Sequence, residues 1–272
     1  MKKSHQIFAI GAVVALFITI GLVVIFGNGT KMMNSHFVRL EVNPKIEFLT
    51  NSDNKVDSVY AVNAEAKELI IGEEFVGLDI KDATEKFLDL CLQANYLDFE
   101  KDTNAVGLSV SSGFTQAFEN QIYEVCNKFF LDNEVLGVIS ESDADLALFK
   151  EKKEKNVQNI EKLVLIKAIL EKTEEYSFEK LNNLSESDLI DIMEDLHKAN
   201  LDSQKEFTDE ELANKNKLID FNRVRLEEHR QNITKETTRE FADKFNKFKK
   251  QKTSKFEEDY QAKYNEYIEN NQ

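Results

Sequence analysis

Pro44 is the only proline in 272 residues, and it stands inside Val38-Arg-Leu-Glu-Val-Asn-Pro-Lys-Ile-Glu-Phe48, where apolar positions alternate as a strand's do. Proline has no N–H to give a sheet ladder, so in sheets it is confined to strand starts, edges and bulges. The Asn43–Pro44 bond is also a tertiary amide, which twists more readily than a secondary one, and the Asn43 carboxamide can reach its own backbone carbonyl. Two roles follow for the pair. One is structural, a proline that blocks an edge from pairing with other chains. The other is a bond the protein breaks itself. No Ser, Thr or Cys follows the bond, so an acyl shift to a hydroxyl or thiol has no nucleophile there. Attack by the Asn43 carboxamide nitrogen on the Asn43 carbonyl would give a succinimide and free the Pro44 amine, with orientation and local strain replacing a conventional active site. Strand alternation would put Glu41, Asn43, Lys45 and Glu47 on one face, where Glu41 and Glu47 assist by hydrogen bonding at most.

Ile7 to Phe26 is a run of twenty residues without a charge. In a helix it spans about 30 Å, the thickness of a hydrocarbon core, and it exceeds the ~7–15 apolar residues of a secretory signal. No small-x-small cleavage site follows, only Phe26-Gly-Asn-Gly-Thr30. The segment is predicted to be a transmembrane anchor, with Lys2 and Lys3 holding the 1–6 stub in the cytoplasm. The protein is then a single-pass cell-membrane protein whose C-terminal portion is extracytoplasmic.

A net charge of −15, with 31% charged residues, keeps such a portion in solution and argues against nucleic acid as a partner. Cys91 and Cys126 are too few for a disulfide scaffold, and each lies in an apolar helical stretch that suits a buried thiol better than a bridge. His5, His36, His197 and His229 are scattered, and no zinc, phosphate-loop or nucleophile-elbow motif occurs. The acidic Ser140–Asp145 lacks the glycine and final glutamate of a calcium loop and reads as a helix cap. No cofactor, no metal and no turnover chemistry are expected, beyond single-turnover self-cleavage.

Residues 27–35 read as a tether. Strand signals follow at His36–Leu49 and Val56–Val62, separated by the turn-like Thr50–Asn54 and expected to pair as a hairpin. Ala64–Ile71 fits neither period. Asp79–Asn95 has helical spacing, Asn104–Ser111 alternates, Gly113–Asp132 carries a helical apolar stripe, and Leu131–Ser140 returns as a short strand. The predicted class is α+β, a small sheet over residues 36–142 with helices on one face. Residues 143–199 should form a helical module, with Ser177 and Ser185 as N-caps. Residues 200–272 should be one or two long helices. Phe241, Phe245, Phe248, Phe256, Tyr260, Tyr264 and Tyr267 draw an aromatic stripe there, suited to packing on this chain, to self-association or to a protein partner. The Lys244–Lys255 cluster is the only basic segment.

Leu40-Glu-Val-Asn-Pro-Lys-Ile-Glu47 resembles the Asx-Val-Asn-Pro-Ser-Ile-Glu motif of the RsgI-type anti-sigma factors, which follows their single membrane helix. Val56-Asp-Ser-Val-Tyr-Ala-Val-Asn63 is similar to that family's next strand, and Lys162–Glu171 and Ser177–Ile190 are similar to its later helices; the resemblance covers roughly residues 36 to 197. Leu40 and Lys45 depart from the commoner acidic and small residues. The resemblance implies an extracytoplasmic domain that breaks its own Asn43–Pro44 bond, the halves staying together by sheet pairing until loss of the outer half exposes the membrane stub to proteolysis. It also implies a cytoplasmic sigma-binding domain. Six residues before the helix cannot fold into one, so a signalling or sensor role is expected without anti-sigma activity. The alternative is a structural protein that presents its helical tail at the cell surface, with Pro44 purely structural.

Overall fold

The computed structural model describes residues 35–111, 116–141, 146–205 and 207–270. The expected 1–6 stub, the expected 7–26 span and the expected tether as far as Asn34 lie outside the described residues. Among the described residues no helix is long and apolar enough to cross a membrane.

The expected strand His36–Leu49 is two strands. β1 (His36–Glu41) and β2 (Lys45–Thr50) pair antiparallel, with Glu41 opposite Lys45, and the chain reverses through Val42-Asn43-Pro44. A three-residue loop suits a hairpin, and Pro44 falls where no ladder N–H is required. β3 (Val56–Ala61) pairs with β2, with a register shift at Leu49/Thr50. β4 (Asn104–Ser111) lies antiparallel to β1 on its other side, and β5 (Gly137–Glu141) lies parallel to β4. The sheet order is β3-β2-β1-β4-β5, with β1 at the centre. Neither β1 nor β2 is an edge, so Pro44 does not guard one.

Ala64–Ile71 resolves as a short helix, α1 (Ala64–Leu69), capped by the Asn63 side chain. α2 (Ile80–Gln93) and α3 (Gln116–Asp132) fall where their periodicity puts them. The strand predicted from Leu131 starts only at Gly137. Asn95 and Glu134 take positive φ (62° and 50°), and the N–H groups of Tyr96 and Val135 reach back to the carbonyls of Cys91 and Phe130. These left-handed C-terminal caps stop α2 and α3, and Leu131 is spent inside the second. Gly137 then begins β5 under the Phe130 ring, where a Cβ would sit 2.6 Å from the ring.

The helices are α4 (Leu146–Glu154), α5 (Ile160–Leu170), α6 (Phe178–Asn182), α7 (Glu186–Lys205), α8 (Asp209–Asn232) and α9 (Lys235–Asn270). Ser177 and Ser185 cap α6 and α7 as expected, each accepting from the N–H three residues on.

Helices cover both faces of the sheet, not one. Val38, Leu40, Ile46, Phe48, Val106 and Leu108 join Phe87, Cys91, Phe118, Ile122 and Cys126 in one core. Each Val, Leu, Ile or Phe among them contributes about 1.5–3 kcal/mol when fully buried. The opposite face carries Arg39, Glu47 and Ser58, and it meets α5 on β4 and α7 on β3. A sheet buried on both sides loses the alternation of a half-solvated one, which is why Phe37, Val38, Arg39 and Leu40 are buried in succession.

The tail packs on its own protein. α8 lies on α1 and α2, and α9 on α3, α4 and β5. Phe245 is buried, Phe241 and Phe248 join the same core, and Tyr264 and Tyr267 meet Phe149 edge-on. Within the lysine cluster, Lys249 Nζ donates to Asn127 Oδ1 at 2.7 Å. Cys91 and Cys126 are buried free thiols, and burial pushes both up, Cys126 to about 12.

Candidate functional site

The turn Val42-Asn43-Pro44 is fixed on all sides but one. The Val42 N–H donates to the Pro44 carbonyl at 3.0 Å, and the Val62 N–H donates to the Lys45 carbonyl at 2.9 Å. Glu41 and Lys45 close the hairpin as an ion pair of 3.2 Å. Pro44 is buried while Asn43 is exposed, and among the described residues the Asn43 carboxamide makes no hydrogen bond. The nucleophile of a succinimide reaction is thus free to turn, and the carbonyl it would attack is not.

That carbonyl is held by Asn63. Its Nδ2 donates to the Asn43 oxygen at 2.5 Å, while its Oδ1 accepts from the Lys45 N–H at 2.9 Å and the Ala66 N–H at 3.1 Å. Both ends of one carboxamide are therefore used: the nitrogen on the backbone before Pro44, the oxygen on the backbone after it and as the N-cap of α1. The sequence reading missed Asn63; the signal that could have found it is an asparagine before Ala64-Glu-Ala-Lys, a capping pattern. Its reach to Asn43 was not visible, because it depends on β2–β3 pairing.

Below the hairpin, on the face covered by α5 and α7, lies a buried ionic cluster. Glu47 is fully buried and accepts from Arg39 Nε at 2.9 Å and Nη2 at 2.5 Å, from Lys172 Nζ at 2.6 Å and from His197 Nε2 at 3.2 Å. Arg39 Nη2 also meets Glu171 Oε2 at 2.6 Å. Burial alone would raise the Glu47 carboxyl, but the His197 hydrogen bond and the charges of Lys172 and Arg39 bring it down to about 2. Burial lowers both His197 and Lys172, against the pull of Glu47. A neutral His197 that donates from Nε2 to Glu47 must accept at Nδ1, and the Ser58 hydroxyl stands 3.0 Å from it. Glu47 therefore faces the cluster, away from any role at Asn43. Of this cluster the sequence reading named Glu47 and His197; Arg39, Lys172 and Ser58 were not singled out.

Residues 35–168 match the family model of the anti-sigma factor RsgI-like central domain. An anti-sigma-I factor, RsgI9 of Acetivibrio thermocellus, is 29% identical over 107 residues, which cover 38% of this chain and 15% of that protein. The chain thus spans a small part of the curated relative it matches. The matched segment takes in the whole sheet, the Asn43–Pro44 turn and Asn63, and ends inside α5, before Lys172 and His197. Over residues 35–168 the chain carries an RsgI-like central domain, the domain described for anti-sigma factors of the RsgI type.

Proposed function

We propose that this chain is a membrane-anchored extracytoplasmic sensor of the RsgI type, whose folded portion breaks its Asn43–Pro44 bond once and remains assembled as two pieces. The observation that carries the reading is the turn itself: a free Asn43 carboxamide beside a carbonyl pinned by Asn63, at the tip of a hairpin whose strands lie inside the sheet. After cleavage the upstream piece would end at Asn43 and keep β1 paired with β2 on one side and β4 on the other. The pieces would hold without a covalent link, and pulling β1 out would break both ladders. A span at Ile7–Phe26 would anchor the upstream piece, so removal of the outer piece would leave a membrane stub. The partner inside would be a protein acting on sigma-dependent transcription, reached through that stub, and no nucleic acid would bind the acidic outer portion.

The experiment is the intact mass of the full chain in detergent, beside Asn43→Ala. Two fragments meeting at Asn43 and Pro44 in the wild type, with a single intact mass in the variant, support the reading. A wild type that stays whole contradicts it.

A further inference from the structure

We infer that Asn63 is a catalytic residue of this turn, the hydrogen-bond donor that polarises the Asn43 carbonyl and holds the oxyanion formed when the Asn43 carboxamide attacks it. The inference rests on the self-cleavage reading and deepens it. In the attack, the Asn43 Nδ2 lone pair forms a bond to the Asn43 carbonyl carbon, and the carbonyl π electrons move to the oxygen. Negative charge develops on the one atom that the Asn63 Nδ2–H already contacts, 2.5 Å away. The intermediate then collapses: the carbonyl reforms, the bond from the Asn43 carbon to the Pro44 nitrogen breaks, and the proton lost from the Asn43 carboxamide ends on the Pro44 amine. Atoms balance without water, metal or cofactor. The upstream piece ends in a succinimide, lighter by one water than an asparagine acid, and the downstream piece begins with Pro44 as a free secondary amine.

Preorganisation distinguishes this donor from a solvent molecule. The Asn63 carboxamide cannot rotate away, because its oxygen is held by the Lys45 and Ala66 N–H groups at once. A donor that is oriented before the reaction needs no reorganisation as charge develops, and such donors are worth about 10²–10³-fold in rate. The same two bonds tie β2, which begins just after the scissile bond, to the start of α1. The donor is therefore registered to the leaving side of the bond and moves with it. No other side chain among the described residues donates to the Asn43 oxygen.

Asn63 is also a helix cap, so a plain truncation confuses two roles. Asn63→Asp separates them. It keeps an oxygen for the Ala66 and Lys45 N–H groups, and aspartate caps helices as well as asparagine does, but it replaces the Nδ2 donor with a carboxylate oxygen facing the carbonyl. The full chain is expressed as wild type, Asn63→Asp, Asn63→Ala and Asn43→Ala, and the appearance of fragments is followed by denaturing mass spectrometry from the time of synthesis, with thermal unfolding recorded for each. The expected result is that Asn63→Asp slows cleavage by about 10²–10³-fold while unfolding close to the wild type, and that Asn63→Ala slows cleavage and also unfolds earlier. Cleavage of Asn63→Asp at the wild-type rate overturns the donor role and leaves self-cleavage standing. A wild-type chain that never splits overturns self-cleavage, and the donor role with it. An upstream fragment that never passes through the dehydrated mass overturns the chemistry on which the role depends.

Discussion

Glu47 is the residue on which the α5–α7 face of the sheet turns. A carboxylate with no exposed surface is tolerated only because Arg39, Lys172 and His197 converge on it. Its folded value of about 2 lies below the ordinary 4.5, so the stability it contributes is full above pH 4.5 and is lost as pH falls from 4.5 towards 2, amounting to about 3 kcal/mol. His197 adds to the same slope. Its folded value lies below 6.5, so the unfolded chain takes up its proton first and stability begins to fall once pH drops below 6.5. Urea unfolding of the wild type should therefore show a midpoint that declines from pH 6.5 downward and steepens below 4.5. A flat midpoint across that range would mean the cluster is not formed as described. Glu47→Ala should cost about 3–5 kcal/mol at neutral pH, since it leaves Arg39 and Lys172 buried without a carboxylate between them. Asn104 offers a neutral counterpart. Its side chain donates to the carbonyls of Asp98, Lys101 and Leu136 and accepts from the Asp98 N–H, so Asn104→Ala should lower stability by about 2–3 kcal/mol, measurable by the same unfolding.

At the scale of elements, what was legible in the sequence was local. α2, β4, the body of α3 and the caps at Ser177 and Ser185 follow from periodicity and from side chains that bond within a turn of themselves. The hairpin bend at Val42–Pro44 was not legible, because its loop contains no glycine and the alternation runs through it unbroken. The second helical layer was hidden for a related reason. Arg39 and Glu47 look like a solvent-facing strand pair, and the groups that bury them are distant in sequence, His197 being 150 residues from Glu47. The Asn43–Pro44 pair was evident from composition, while its donor Asn63 needed the β2–β3 register. The tail was legible as helix, and its Phe241, Phe245 and Phe248 stripe as a face suited to packing on this chain; the polar anchors of α8 were not legible: Lys215 Nζ donates to the Ile71 carbonyl at 2.5 Å, and Asn222 Nδ2 to the Leu92 carbonyl at 2.9 Å. Arg225 gathers Asn95, Asp98 and Glu100 beside them, closing the C-terminal end of α2. Phe245 is the apolar anchor of α9, in the same core as Phe130. Phe245→Ala should release α9 while leaving the sheet intact, so limited proteolysis would cut first near Thr234–Lys235; unchanged resistance there would show that α9 is held by other contacts.

At the scale of the whole molecule, the position of the turn matters as much as its chemistry. A break at the tip of an edge hairpin would free a strand held on one side only. A break between β1 and β2 leaves the upstream piece as the centre of a five-stranded sheet, flanked by β2 and β4 and tied by Arg39 to Glu47 and Glu171. If the bond breaks as proposed, such an assembly would withstand loss of the peptide bond but separate under force or denaturant, which is the behaviour the proposed two-piece sensor requires. The most direct test of that account is the mass of the full wild-type chain, taken once under native conditions in detergent and once after denaturation. The account predicts a single particle of full mass natively and two fragments, ending at Asn43 and beginning at Pro44, once denatured. A single unbroken chain in both conditions would contradict it.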